Sequence, residues 1–380
     1  MKENRKHIAL FFSGYSSGGV PRRMLTLADA FAARNHRVDI VVVRSRGPLR
    51  PLVSPMARLV ELSERRTSLP RLSGKGRFQA LASIPALSRY LRRERPDALL
   101  SAGNYVNFSA VMARAAARIR LPVAVCHNSH LSREADRKPF VRWVARHIYP
   151  WADSIIAVSN GVANDLSLSA GIPRRRVTTI YDPVVTPDLL DKARTPLEHP
   201  WFTPDRPPVV LGVGRLHDQK DFPTLLRAFA RLHEMRQARL MILGEGKKAE
   251  RLRELTALAV RLGVADDVAL PGFVDNPFAY MARASVFVLS SAWEGFGMVL
   301  VEALACGCPV VSTDCPSGPA EILDGGAYGP LVAVGDDAAL AQAILSVLET
   351  PPDPERLRAR AELFSVGRSV SQYEKVLFNT

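Results

Sequence analysis

The chain has 380 residues, 47% of them apolar and 23% charged, and a formal net charge of +14. This length favours two domains over one, and the composition excludes an intrinsically disordered protein. Four cysteines are too few for a disulfide framework, which indicates a reducing, cytoplasmic compartment. No apolar run reaches the roughly 18 to 20 residues that span a bilayer, so we expect any membrane contact to be peripheral.

The charge is unevenly distributed along the chain. Residues 1–182 carry 31 Lys and Arg against 12 Asp and Glu, a net +19, whereas residues 183–380 carry a net −5. The basic residues concentrate in 65–95 and 114–146. A positive N-terminal half favours an anionic membrane or a phosphorylated acceptor, and an arginine-rich, solvated surface is the alternative. Since no nucleic-acid-binding motif accompanies the charge, we expect no nucleic-acid partner.

The N-terminal half alternates short apolar runs with helical patterns, which is typical of a doubly wound α/β domain. The basic residues before position 8 are followed by only five apolar residues and then a glycine loop, so the pattern predicts a buried first strand and no signal peptide. The predicted strands are 8–13, 38–43, 98–101, 123–126, 154–158 and 177–180. The predicted helices are 24–35, 78–94, 106–118 and 138–149.

The C-terminal half repeats this alternation after a break. Seven prolines interrupt the periodicity between 183 and 208, which indicates an inter-domain linker. The strands predicted beyond it are 209–213, 240–243, 268–270, 286–290 and 310–313, and the helices are 222–235, 247–262, 298–306 and 337–348. We therefore predict an N-terminal Rossmann-like domain for acceptor binding over 1–182, a linker over 183–208, a C-terminal Rossmann-like domain for donor binding over 209–362, and a C-terminal helix over 363–380.

The strongest local motif lies directly after the strand predicted at 209–213. It combines Gly214 with two cationic residues, Arg215 and Lys220. Glycine lets the backbone pass close to a ligand, while arginine offers a bidentate fork for phosphate and lysine a point charge. The motif therefore predicts a site for a diphosphate. A Gly-x-Gly after a strand also occurs in ordinary turns, which is the alternative interpretation.

A second motif places two glutamates, Glu294 and Glu302, eight residues apart across a strand-to-helix junction. A helical interval of that length spans about 12 Å, which suits a sugar at one end and a nucleotide ribose at the other. The backbone N–H groups of Gly297, Met298 and Val299 would open the helix, and free N–H groups there favour phosphate. The alternative is a capping Glu294 and a solvated Glu302.

These two motifs, in this order, resemble those of the retaining glycosyltransferases of family four, which have the GT-B fold. Glu294 and Glu302 match the E-x7-E motif of that family inside a Glu-Gly-Phe-Gly run. The similarity covers nearly all of 209–348 and is looser over 1–182. The run at 314–323 is similar to bacterial enzymes of surface-polysaccharide assembly. The resemblance implies an α/β protein with two Rossmann-like domains facing across a cleft and a C-terminal helix packing back on the first.

The same resemblance implies roles for individual residues. Arg215 and Lys220 would bind the donor diphosphate. Glu294 would contact the transferred sugar, and Glu302 would bind the ribose. His127 follows the strand at 123–126 and matches a histidine placed beside the sugar, although a lone histidine is more often structural. The other implied donor-binding positions are Gly214, Gly272, Phe273, Val274, Phe296, Gly297, Met298 and Val299, and the implied acceptor and phosphate loop comprises Gly18, Gly19 and Arg22.

As a function, the resemblance implies a retaining hexosyltransferase in cell-surface polysaccharide assembly. It would move a hexose or N-acetylhexosamine from a nucleotide-diphosphate sugar, with UDP favoured over GDP, to a lipid-linked or glycan acceptor. We expect no cofactor, and because the sequence contains no Asp-x-Asp motif we expect no metal requirement. A cytoplasmic enzyme in peripheral contact with anionic membrane would fit the basic N-terminal half.

Several alternatives stay open on the sequence alone. The acceptor could be a soluble small molecule. A sugar-nucleotide epimerase also uses GT-B architecture, and so does a phosphorylase, although the sequence lacks a lysine motif for pyridoxal phosphate. A non-catalytic module that uses only the basic half would bind membranes or oligonucleotides without responding to a sugar nucleotide.

Overall fold

Two compact units make up the chain in a computed structural model, which describes residues 5–16, 18–62, 80–135, 139–203, 205–246 and 249–378. One unit comprises Met1–Pro183 together with Val366–Thr380, and the other comprises Val184–Ser365. Each unit has one parallel sheet whose strands alternate with helices. The α/β class with two Rossmann-like domains, predicted from the sequence, is therefore confirmed.

The first unit contains a seven-stranded sheet in the order β3-β2-β1-β4-β5-β6-β7. Its strands are nearly continuous apolar runs because a parallel sheet between helices is buried on both faces. The strands are β1 (His7–Phe12), β2 (Arg37–Val42), β3 (Arg58–Glu61), β4 (Ala98–Ala102), β5 (Val123–His127), β6 (Ser154–Ala157) and β7 (Val177–Thr179). The helices are α1 (Gly19–Ala33), α2 (Ile84–Glu94), α3 (Asn104–Ala117), α4 (Leu131–Ala135), α5 (Pro139–His147) and α6 (Asn160–Ala170).

The second unit contains a six-stranded sheet in the order β10-β9-β8-β11-β12-β13. The strands are β8 (Val209–Val213), β9 (Arg239–Leu243), β10 (Val268–Gly272), β11 (Val286–Leu289), β12 (Val310–Thr313) and β13 (Leu331–Val332). The helices are α7 (Pro187–Arg194), α8 (Phe222–Met235), α9 (Ala249–Arg261), α10 (Pro277–Met281), α11 (Met298–Ala305), α12 (Pro319–Ile322), α13 (Asp337–Glu349) and α14 (Pro354–Ala361). Within the described ranges, every helix falls short of the length and apolar character needed to cross a bilayer.

The segment 183–208, which the sequence predicts to be an inter-domain linker, contains regular structure. It contains helix α7, and from Val184 onward it belongs to the second unit. A proline occupies the first helical position, where its missing N–H costs nothing, and the Thr186 side chain accepts a hydrogen bond from the Leu189 N–H at 3.0 Å. One of the seven prolines interpreted as breaks, Pro187, is therefore the start of a helix.

The C-terminal helix α15 (Val366–Phe378) belongs to the first unit, as expected for a helix that packs back on it. Tyr373 is fully buried, and the Ser369 hydroxyl donates to the Tyr181 carbonyl at 3.0 Å. Glu374 forms an ion pair with Arg34, the C-cap residue of α1, and its Oε1 lies 3.1 Å from His36 Nε2.

Part of the basic cluster at 65–95 lies outside the described residues, namely Arg65, Arg66, Arg71, Lys75 and Arg77, and so do Arg137 and Lys138 of the second cluster.

A buried carboxylate joins the first three strands of the first unit. Asp39 on β2 is fully buried and accepts hydrogen bonds from His7 Nε2 at 2.9 Å, Arg58 Nε at 2.9 Å and the Tyr90 hydroxyl at 2.6 Å. Burial by itself raises the pKa of Asp39, but these donated hydrogen bonds outweigh burial and hold the pKa well below its usual range. The carboxylate is therefore charged at neutral pH.

We expect Asp39→Ala to lower the free energy of unfolding of the first unit by about 3 kcal/mol, because breaking a buried ion pair leaves its partners uncompensated. The depressed folded pKa contributes stability above about pH 4, and this contribution is lost as the pH falls further. Denaturant titration measures the free energy of unfolding of both proteins at pH 7 and at pH 3. The difference between Asp39→Ala and the wild type should be smaller at pH 3. Asp191→Ala, which removes an exposed pair with Arg194, is the matched control and should cost less than about 1 kcal/mol.

Candidate functional site

The two sequence motifs of the second unit follow adjacent strands of its sheet. Strand β8 pairs with β9 on one side and with β11 on the other, and all three are parallel. The strand order therefore reverses direction at the boundary between β8 and β11, and open α/β sheets bind ligands beyond the carboxyl ends of strands at such a switch point. The loops 214–221 and 290–297 leave the sheet at this place.

These two loops meet through a short, buried ion pair. Lys220 Nζ lies 2.6 Å from Glu294 Oε1, and their side chains are 14% and 8% exposed. The same carboxylate oxygen accepts a hydrogen bond from the Ser291 hydroxyl at 2.8 Å, and Oε2 accepts one from Gln219 Nε2 at 3.3 Å. The structure thus brings together a lysine and a glutamate that are 74 residues apart in sequence. In this arrangement the Glu294 carboxylate holds the ammonium in place as its ion-pair partner.

Backbone contacts fix the two loops to each other around this pair. The Ser290 hydroxyl donates to the Lys220 carbonyl at 2.8 Å, and the Ala292 N–H donates to the Gln219 carbonyl at the same distance. Gln219 also donates through Nε2 to the Trp293 carbonyl at 3.0 Å. The ammonium and the carboxylate are therefore held by loops that support each other, which is the rigid background that a binding site requires.

Two glycines explain how the loops approach so closely. A Cβ on Gly214 would lie 2.9 Å from Lys220 Cε, so only glycine leaves room for the lysine to reach across its own loop. Gly244, after β9, has φ +141°, and a Cβ there would lie 1.9 Å from the Gly214 carbonyl oxygen. The Gly244 N–H in turn donates to the Gly272 carbonyl at 2.7 Å. The loops after β8, β9 and β10 are consequently in contact with one another at the carboxyl end of the sheet.

The second half of the E-x7-E motif lies on a helix start. Gly297 precedes α11, whose first residues are Met298 and Val299, and Phe296 is buried beneath the turn. The Glu294 N–H donates to the Pro316 carbonyl at 3.3 Å, which ties this turn to the loop after β12. Glu302 lies one helical turn inside α11 and is only 6% exposed, so the alternative of a solvated glutamate is wrong.

The remaining predicted residues of the second unit lie at its surface. Arg215 is exposed beside the Gly214 turn, and the following Leu216 N–H donates to the Glu245 carbonyl at 3.0 Å. Phe273 is 56% exposed, which is unusual for a large aromatic side chain, and Val274 is half-buried. Exposed cationic and aromatic groups on loops at this edge of the sheet can contact a phosphate and a ring without unfolding any part of the sheet.

In the first unit, His127 is the last residue of β5 and is fully buried. Its Nδ1 lies 3.3 Å from the Tyr149 hydroxyl, to which Asn107 also donates at 3.0 Å. The Ser101 hydroxyl donates to Asn107 at 2.8 Å, so the histidine belongs to a buried polar network at the carboxyl edge of the sheet. This network fixes the orientation of the imidazole ring, a property that suits either a structural or a substrate-facing histidine.

The predicted glycine loop of the first unit forms the start of α1. Gly18 is the N-cap, Gly19 is the first helical residue, and the Arg22 N–H donates to the Gly18 carbonyl at 3.5 Å. The neighbouring Arg23, which sequence reasoning passed over, is only 1% exposed and pairs with Asp182 at 2.9 Å.

The missed Arg23 carried a detectable signal. It falls on the same helical stripe as the apolar Leu27 and Phe31, where an arginine needs a buried partner. Its second nitrogen donates to Asn128, which follows β5. Gln219, the other missed residue, carried no such signal in the sequence.

Two family models match the chain. Residues 17–186 match the model described as Glycosyltransferase Family 4, and residues 207–350 match the one described as Glycosyl transferases group 1. The chain belongs to the family-four glycosyltransferases. The resemblance that the two motifs indicated is thereby confirmed. The first matched range lies in the first compact unit except for residues 184–186, and the second lies within the second unit.

This family-four chain also resembles individual proteins. It is 36% identical over 202 residues to the N-acetylgalactosamine-N,N'-diacetylbacillosaminyl-diphospho-undecaprenol 4-alpha-N-acetylgalactosaminyltransferase of Campylobacter jejuni, a match that spans 53% of this chain and only about half (52%) of that protein. It is 28% identical to the lipopolysaccharide core biosynthesis glycosyltransferase LpsE of Rhizobium meliloti over 92% of both chains. The crystal structure of Anabaena HepE in complex with UDP and glucose shares the fold, with a TM-score of 0.80 and 21% identity over 99% of this chain and all of that one.

The cysteines of this glycosyltransferase are buried thiols. Burial, reinforced by Glu294, raises the pKa of Cys315 to about 12, and burial with Glu302 nearby raises that of Cys306 to about 12. Such thiols stay protonated at neutral pH and are poor nucleophiles. Among the described residues, no group of three or more His, Cys, Asp or Glu side chains could hold a metal ion.

Proposed function

We propose that the chain transfers a hexose or N-acetylhexosamine, with retention of configuration, from a nucleotide-diphosphate sugar to a lipid-linked or glycan acceptor in cell-surface polysaccharide assembly. The observation that carries this proposal is the Lys220–Glu294 pair at the switch point of the second sheet, with an exposed Arg215 on the same loop as Lys220. A cationic side chain and a carboxylate at this place offer complementary groups to a diphosphate and to sugar hydroxyls. The second unit would therefore bind the donor and the first unit the acceptor.

In the proposed mechanism the bond between the anomeric carbon and the diphosphate oxygen breaks while the acceptor oxygen attacks from the same face. The acceptor proton passes to an oxygen of the departing diphosphate, so no protein nucleophile is needed. Lys220 and Arg215 stabilise the negative charge that develops on the leaving group, which is an electrostatic contribution to the transition state. Lys220 has three N–H donors, so it can bind a phosphate oxygen while retaining its contact with Glu294.

The other residues would bind the rest of the donor. Glu294 has hydrogen-bonding capacity for the hydroxyls of the transferred sugar, and the buried Glu302 would bind the ribose. The backbone of Gly272, Phe273 and Val274 would contact the base, with the exposed Phe273 ring beside it. The helix start at 297–299, under Phe296, would present N–H groups to a phosphate.

The roles proposed for the first unit concern the acceptor and, for His127, the transferred sugar. Gly18 and Gly19 open α1, whose first N–H groups favour an anion, and Arg22 lies in its first turn. His127 would contact the sugar. A phosphorylated or diphosphate-linked acceptor fits the net +19 of residues 1–182. The name of the Campylobacter relative, which includes diphospho-undecaprenol, supports a lipid-linked acceptor.

We further propose that UDP is the nucleotide, that no metal or cofactor is required, and that the protein works in the cytoplasm in peripheral contact with anionic membrane. The UDP-bound HepE structure and the hexosamine named for the Campylobacter relative support the donor assignment. Metal independence follows from the mechanism, since Lys220 and Arg215 would supply the positive charge that a divalent ion supplies in other phosphate sites.

A panel of sugar nucleotides tests this function. UDP-N-acetylhexosamines and UDP-hexoses are expected to raise the midpoint of thermal unfolding, because a ligand that binds only the folded state stabilises it. Sugar transfer to a polyprenyl-diphosphate-linked acceptor should then persist in EDTA. A thermal shift confined to GDP-sugars would overturn the donor assignment. Transfer only to soluble small molecules would overturn the proposed class of acceptor. Conversion of the donor to its epimer would show that the protein is an epimerase and not a glycosyltransferase.

A further inference from the structure

A row of aromatic side chains crosses two helices of the first unit. Tyr105 on α3 stacks on Phe140 of α5 with ring centroids 5.7 Å apart, and Phe140 stacks on Trp143 at 5.9 Å. The row continues from Trp143 to His147 at 5.4 Å, and Phe108 of α3 packs beside Phe140. Stacked rings of this kind usually lie in a core, but this row reaches the protein surface.

Two of these rings are exposed to solvent, unlike the aliphatic residues of the same helix. Trp143 is 48% exposed and Phe140 is 37% exposed, whereas Val141 and Val144 of the same helix are buried. A large aromatic residue left in water forgoes the free energy that its burial would give, about 1.5 to 3 kcal/mol. Two such rings side by side on one helix therefore indicate a partner that covers them.

Arginines flank the exposed rings. Arg142 and Arg146 of α5 are both exposed, and they lie on the solvent side of the helix opposite its buried valines. Neither α3 nor α5 contains an acidic residue, and Arg118 and Arg120 follow α3 directly. Helix α5 thus has an aliphatic stripe toward the core, an aromatic stripe toward α3 and a basic stripe, a pattern typical of helices that lie in a membrane interface.

We propose that the surface formed by Phe140, Trp143, Arg142 and Arg146, named here the α5 surface, docks the first unit on a bilayer rich in anionic phospholipid. The arginines would pair with lipid phosphates, at about 1 kcal/mol for each basic residue near the surface. Tryptophan and phenylalanine would enter the headgroup region, where amphipathic rings are favoured. Phe140 already stacks on Tyr105 and Trp143, which leaves it poorly suited to stack on a sugar ring.

This inference deepens the proposed function, since it specifies how the enzyme would reach a lipid-linked acceptor. Its physical basis is independent of sugar transfer, because it requires only exposed rings and arginines on one helix. The two proposals can therefore fail separately, and a binding assay without sugar nucleotide tests the α5 surface alone.

The experiment is co-sedimentation of the full-length protein with vesicles of phosphatidylcholine mixed with phosphatidylglycerol, compared with vesicles of phosphatidylcholine alone. We expect binding to the anionic vesicles only. Arg146→Glu and the double variant Phe140→Ser/Trp143→Ser should each weaken it by at least about tenfold, since a charge reversal removes two favourable charge units. Arg253→Glu and Val260→Ser, at exposed positions of α9 in the second unit, are the matched controls and should bind like the wild type.

Folding and donor binding serve as separate readouts. Thermal unfolding shows whether the double serine variant is destabilised. If it is, Arg146→Glu, which alters only an exposed side chain, still tests whether the α5 surface binds the vesicles. The proposal is overturned if Arg146→Glu binds anionic vesicles as well as the wild type does, or if the control variants lose binding equally. It is also overturned if the double variant keeps vesicle binding but loses affinity for a soluble oligosaccharide. A donor-induced thermal shift in all variants would show that any failure concerns the α5 surface and not sugar-nucleotide binding.

Discussion

Lys220→Ala is expected to lower the turnover of sugar transfer by about 10³-fold, because it removes a cationic donor that faces the leaving diphosphate. The ammonium lies 2.6 Å from Glu294 and is held by a loop whose carbonyl accepts from Ser290 at 2.8 Å. Gln219, which also donates to Glu294, is neutral and cannot replace the ammonium, and Arg215 would bind the same diphosphate from its own position. Steady-state kinetics with the preferred donor measures the loss.

The Lys220→Ala variant needs a stability control, since it also leaves Glu294 buried without its partner. The double variant Lys220→Ala/Glu294→Gln removes the uncompensated charge, so it should recover stability without recovering turnover. Lys192→Ala, which removes an exposed lysine paired with Asp188, should leave both properties unchanged. Wild-type turnover in Lys220→Ala would show that the ammonium does not act on the diphosphate.

Gly244→Ala is expected to abolish donor binding and to cost about 3 kcal/mol of stability, from backbone strain together with overpacking. The added Cβ would lie 1.9 Å from the Gly214 carbonyl oxygen, and φ is +141°, so one of the two loops must move. Movement of the Gly214 loop displaces Lys220, whose side chain lies across it. Thermal unfolding and a donor-induced thermal shift measure the two effects.

Gly335→Ala is the matched control for this substitution. Gly335 also has a positive φ, +81°, but no atom lies within 4 Å of the position of its Cβ. The Gly335→Ala substitution should therefore lower the free energy of unfolding only by the conformational penalty of about 1 kcal/mol and leave donor binding intact. Equal losses in the two variants would attribute the effect to backbone conformation and not to the contact between the loops.

The sequence predicted those parts of the fold that have a strong local signal. Buried parallel strands are apolar runs, so all strands with a fully buried interior were identified. Strands β3 and β13 were missed because they are short, half-exposed edge strands that lack such a run. Helix α7 was missed because Pro187, its first residue, was interpreted only as a break, although a proline at the first position of a helix is favoured.

The candidate site was predictable as two motifs but not as one constellation. Each motif follows a strand, so its position at the carboxyl edge of a sheet could be inferred. That β8 and β11 are neighbours could not, because strand order depends on how the intervening helices cross the sheet. The pairing of Lys220 with Glu294 depends on that order, and the sequence assigned the two residues to different parts of the donor.

If the cationic residues of the second unit hold the donor diphosphate, they contribute to the affinity for UDP but not to that for uridine, and calorimetric titration with each ligand measures this difference. Lys220→Met keeps the length of the side chain and removes its charge. We expect this variant to bind UDP at least about tenfold more weakly than the wild type, because it has lost a charged hydrogen bond, while its affinity for uridine is unchanged. Equal affinity of both proteins for UDP, or an equal loss for uridine, would contradict it.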